Sequence, residues 1–181
     1  MARITQITER DQVADEHKAI FDSIAESRGR VSGPFSVLLN SPEIAGRAAH
    51  LGAYIRFDST LEPHQRELAI ITAARQADCQ YEWSAHAPMA ERAGVRDEAI
   101  DAVANNASVD GLTEEEALII TYGRELLGAS RVSDQTFYDA RAKFGEQGVT
   151  ELTATLGYYR MLACALNAFE VEPPDGTPRL P

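Results

Sequence analysis

The sequence predicts an all-α protein, and three observations carry the prediction. The 181 residues include 28 alanines, and alanine has the highest helix propensity. Val, Ile and Thr seldom fall into the alternating runs that build half-buried strands. Ser, Thr, Pro and Gly stand where helices need start and stop residues. Together these features predict seven or eight helices.

Taken in order, Asp11–Arg28 carries Val13, Ile20 and Ile24 at helical spacing. Gly29–Asn40 reads as a loop, with Gly33-Pro34 as its breaker. Ser41-Pro42-Glu43 reads as a helix start, with a capping hydroxyl, a proline at the first position and an acid favoured by the dipole. That helix should run to about Phe57. A further helix should span Glu62-Pro63 to Ala77, and the next Cys79–Ala93, stopping at Gly94. Asp97–Asn105 is short, and Thr113 with Glu116 spells a capping box for a helix ending near Gly128. Ser133 caps a helix that should end before Gly145, and the last should cover Thr150–Phe169. The tail Glu172–Pro181, with four prolines, reads as irregular and laid on a surface or a neighbouring subunit.

Composition narrows the function. A chain that is 44% hydrophobic and 25% charged is globular, and its length suits one domain over residues 1–181. Its net charge of −11 repels phosphate backbones and argues against nucleic acid. The most apolar stretch, Met161–Phe169, is interrupted by Asn167, so no membrane span is expected. The N-terminal residues lack the apolar core of a signal peptide, which points to the cytoplasm. Two cysteines are too few for a disulfide framework.

One region holds more polar chemistry than a helix core requires: Glu67, then Cys79-Gln80-Tyr81-Glu82-Trp83-Ser84-Ala85-His86. On a helix, positions 79, 82 and 86 share one stripe, with Trp83 beside them. Cys79 would stand in the first turn, where free N–H groups lower a thiol pKa, and Asp78 could cap that turn. Plainer readings exist for each residue. Buried cysteine is commonly inert, Glu82 and His86 could be a surface ion pair, and Trp83 could be core. A metal at Cys79, Glu82 and His86 has suitable ligand types but lacks the further ligands such sites use, so neither metal nor cofactor is expected. His17, His50 and His64 are isolated. The site reading requires Glu67 to reach the same pocket from the preceding helix, since the short link at Ala77-Asp78 makes the two helices neighbours.

The pattern Glu67, Cys79, Glu82, His86, within Pro63-x-x-Arg66-Glu67-Leu68-Ala69 and Cys79-x-Tyr81-Glu82-Trp83-x-x-His86, resembles the carboxymuconolactone decarboxylase and AhpD-like alkylhydroperoxidase superfamily. Ala93-Gly94-Val95 and Gly157-Tyr158-Tyr159 extend the likeness, whose core covers residues 41–103. The resemblance implies an AhpD-like helical bundle. It also implies assembly into a homo-oligomer (dimer, trimer or hexamer), with the site near a subunit interface. Peroxidase members of the family carry Cys-x-x-Cys, and Glu82 occupies the second position here. A carboxylate cannot form the disulfide of that cycle. The decarboxylase branch resembles this chain in carrying Glu-x-x-x-His. The resemblance therefore implies a cofactor-independent lyase acting on a small carboxylated lactone or keto acid. In it His86 would be the acid–base group, oriented by Glu82 and Glu67. Tyr81 or Tyr158 would donate to the oxyanion, Arg66 or Arg30 would hold a carboxylate, and Trp83 would wall the substrate. A peroxidase using Cys79, or a non-enzymatic helical oligomer, is the alternative.

Overall fold

The computed structural model describes residues 2–181. Among these the protein is all helical and has no strand. The helices are α1 (Lys18–Arg28), α2 (Pro34–Leu38), α3 (Pro42–Ala53), α4 (Pro63–Gln76), α5 (Gln80–Arg92), α6 (Asp97–Ala104), α7 (Glu114–Ala129) and α8 (Asp134–Ala168). The chain divides into two compact units. One comprises the stretch up to Asp58 together with Cys164–Glu172; the other comprises Ser59–Ala163 and Pro173–Pro181.

In the first unit α1 packs on α3. The start of the expected first helix is instead two short 3₁₀ turns, Arg10–Gln12 and Asp15–His17. Val13 interrupts them in an extended conformation that turns its side chain inward. The segment expected to be loop contains α2. Gly33-Pro34 is a helix start and not a breaker: Gly33 takes a left-handed φ of 56° as N-cap, and Pro34 enters the first turn, where its missing N–H costs nothing. Burial of Phe35 and Val37 stabilises this five-residue helix. Ser41 occupies the N-cap of α3, but its side chain makes no capping bond. After Ala53 the chain widens into a π-helical turn, Tyr54–Asp58.

The second unit is organised around α4, which packs against α5, α6 and α7. Its residues Glu67 to Ala74 are buried without interruption, as befits a helix surrounded on all faces. Such crowding demands small neighbours. A Cβ on Gly123 of α7 would lie 2.7 Å from Thr72 Cγ2 and 3.1 Å from Leu156 Cδ2. The last two expected helices are both present: α8 is two helical segments that meet at Gly145, whose φ of 69° breaks the helical path where the first was expected to end. The tail's Leu180 is buried. Its N–H donates to Gln80 Oε1 at 2.9 Å, and its carbonyl accepts from Gln80 Nε2 at 3.3 Å. The tail is thereby pinned to the first residue of α5. No helix is long and apolar enough to cross a membrane among the described residues.

Candidate active site

The link between α4 and α5 sets the site. Ala77 closes α4, Asp78 adopts a left-handed φ of 45° and pairs with Arg75, and Cys79 starts α5. Asp is among the few non-glycine residues that enter this region readily. The expectation that Cys79 lies in the first turn and that Asp78 caps it is corrected: Cys79 itself is the N-cap, with extended backbone angles. Its N–H donates to Ala74 O at 2.9 Å, and its carbonyl accepts from Trp83 N at 3.1 Å. Its side chain is fully buried. Nucleophilic thiols need access to their oxidant.

From this start, Glu82 and His86 fall one turn apart and face α4. His86 Nδ1–H donates to Glu67 Oε2 at 2.8 Å. Its Nε2 stands 3.6 Å from Glu82 Oε2. The three side chains are at least nine-tenths buried. The ring is thus held between two carboxylates, one hydrogen-bonded and one opposed. With Nδ1 bonded to Glu67, the other ring nitrogen, Nε2, is the one that faces Glu82. A group placed this way can deliver a proton to, or remove one from, a small molecule that reaches Nε2. Glu67 fixes the imidazole's tautomer and angle in the way an orienting acid does.

A residue that the sequence did not assign to the site completes the ring's surroundings. Tyr159 of α8 meets His86 edge-on, with centroids 5.0 Å apart at 82°. Tyr158, the tyrosine expected there, stacks edge-on against Tyr159 at 5.3 Å instead. The pair is adjacent in sequence and both are buried, so only the rotation of α8 distinguishes them. Trp83 is buried and lines a cavity of about 610 Å³ with Pro88, Ile100 and Pro178, whose walls do not include Glu67, Glu82 or His86. Tyr81 is half-buried, and its carbonyl accepts from Ser84 Oγ at 2.8 Å. Arg66 is half-buried. Its Nη1 approaches Leu61 O at 3.5 Å, and its buried Nε has no hydrogen-bond partner.

The profile of the carboxymuconolactone decarboxylase family matches residues 42–122, spanning α3 through most of α7. Over this stretch, a little under half of its length, the chain is similar to that family. No curated protein matches it. Solved structures share its fold at low identity. An alkylhydroperoxidase AhpD core, an uncharacterized peroxidase-related protein from Ralstonia eutropha, superposes with a TM-score of 0.78 at 17% identity, covering 96% of this chain and 93% of its own. An uncharacterized peroxidase-related protein from Silicibacter gives 0.74 at 16% identity, covering 90% and 87%. The debrominase Bmp8, as a cysteine-to-alanine variant in complex with 2,3,4-tribromopyrrole, gives 0.75 at 14% identity, covering 95% and 92%.

Proposed function

We propose that this protein is a member of the carboxymuconolactone decarboxylase superfamily and a cofactor-independent carboxy-lyase acting on a small lactone or keto acid, with His86 as the proton donor. The observation that carries the reading is the buried Glu67–His86–Glu82 arrangement, with contacts of 2.8 Å and 3.6 Å on the two ring nitrogens. A β-keto carboxylate breaks its carbon–carbon bond to release carbon dioxide, and the bonding pair passes into an enolate. A proton from His86 Nε2 then forms the new carbon–hydrogen bond, and solvent reprotonates the imidazole. Glu67 holds the ring through this exchange, and Glu82 stabilises the charged ring when it carries both protons. Exclusion of water at this depth strengthens these interactions.

A thiol peroxidase cycle is less well supported. The partner position is a carboxylate, and Cys79 is fully buried. The test is carbon dioxide release from a panel of carboxylated lactones and β-keto acids. We expect at least one to react, His86→Ala to lose that activity, and Cys79→Ser to retain it. Peroxide consumption with a thiol donor, abolished in Cys79→Ser, would replace this reading with the peroxidase.

A further inference from the structure

The geometry points to Thr155 as a ligand-facing hydrogen-bond donor of the His86 site, a role that rests on the acid–base reading above. Thr155 is fully buried on α8, and its hydroxyl has no hydrogen-bond partner. That is unusual within this protein. Thr72 donates to Leu68 O, Thr150 to Glu146 O and Thr153 to Val149 O, each at 2.7 Å. Returning a hydroxyl proton to the carbonyl four residues back is the ordinary way a helical threonine satisfies itself. The same acceptor position for Thr155 is the Glu151 carbonyl, and the hydroxyl does not take it. A buried hydroxyl left unmade costs stability, so its retention calls for an acceptor that arrives from outside the fold.

Position in the helix says where that acceptor would be. Thr155 precedes Tyr159 by four residues, one turn or about 6 Å along the axis, on the same face. Both are buried, and Tyr159 is the residue whose ring meets His86. Helical spacing therefore places Thr155 on the face of α8 that carries Tyr159, one turn from the residue that meets the imidazole. Decarboxylation leaves negative charge on the enolate oxygen, which a neutral donor stabilises once water is excluded. Thr155 supplies such a donor from a helix other than the two that carry Glu67, Glu82 and His86. It is thus a substrate-contacting residue that distinguishes substrates by the placement of their oxygen.

Two measurements on the full-length protein test the inference. In the first, crystals are soaked with oxalate, a planar mimic of an enolate carboxylate. An oxalate or ordered-water oxygen within hydrogen-bond distance of Thr155 Oγ1 on the His86 side is the expected result. A hydroxyl bonded to the Glu151 carbonyl, or enclosed by apolar groups alone, overturns it. The second compares Thr155→Val and Thr155→Ser. The valine variant should keep or raise the melting temperature, because it deletes an unsatisfied polar group, yet lower kcat by about tenfold or more. Serine should restore kcat to within about threefold. A valine variant with unchanged kcat and KM overturns the role. If wild type releases no carbon dioxide from any substrate, the lyase reading fails, and the crystallographic result alone decides where the hydroxyl points.

Discussion

Glu67→Ala would remove the acceptor of the 2.8 Å bond from His86 and leave the buried ring beside Glu82. Breaking one side of a buried pair costs about 3 kcal/mol. Urea denaturation should show that loss, with Glu67→Gln, which keeps an acceptor oxygen, losing about 1 kcal/mol. The sequence showed the Glu82 and His86 half of this site because four-residue spacing places two side chains on one helical face. Glu67 required a tertiary argument, the tight link between two helices, and the structure shows the carboxylate turned inward on His86 rather than outward to an arginine. Tyr159 and Thr155 were not legible. Both lie about 70 residues from His86 in the chain. Nothing local separates Tyr158 from Tyr159, or Thr155 from the threonine at 153.

At the scale of elements, the caps and close contacts carry two predictions. The α7 capping box is real: Glu116 N–H donates to Thr113 Oγ1 at 3.2 Å, and Thr113 N–H donates to Glu116 Oε2 at 3.0 Å. Arg96 grips the same carboxylate at 2.6 Å and holds Glu116 down to about 2 from an ordinary 4.5. A depressed folded pKa stabilises the fold fully above about pH 4.5, and that stabilisation is lost as pH falls toward 2. Arg96 is partly exposed, so solvent screens its share of that stabilisation. Acid titration followed by circular dichroism should show Arg96→Met less stable at pH 6 and converging with wild type near pH 2. Gly123→Ala should destabilise by about 1–3 kcal/mol in thermal unfolding, because its Cβ would press on Thr72 Cγ2. Thr72 is itself buried and bonded to Leu68 O. Helix starts marked by Pro or a capping box were legible to within a residue or two for α3, α4 and α7. α2 was not, because its Gly-Pro reads equally as a stop, and the helix exists through the burial of Phe35 and Val37. The Gly145 break was legible as the end of one helix before the next begins.

For the whole molecule, Ile44, Leu51, Tyr54 and Phe57 stand exposed along α3 and the π turn. Apolar side chains gathered this way mark contact surfaces, and with the family resemblance they lead us to expect a homo-oligomer. Light scattering at micromolar concentration should return a multiple of 19.8 kDa, and a stable monomer would refute this. The central claim is that His86 hands a proton to a carbanion inside the protein. The most direct test is to run the decarboxylation in D2O and read the product by NMR at short times. The account predicts one deuterium in a single stereochemical position at the carbon that lost carbon dioxide, and no product from His86→Ala. Deuterium spread equally over both positions, or an unchanged rate in His86→Ala, would contradict it.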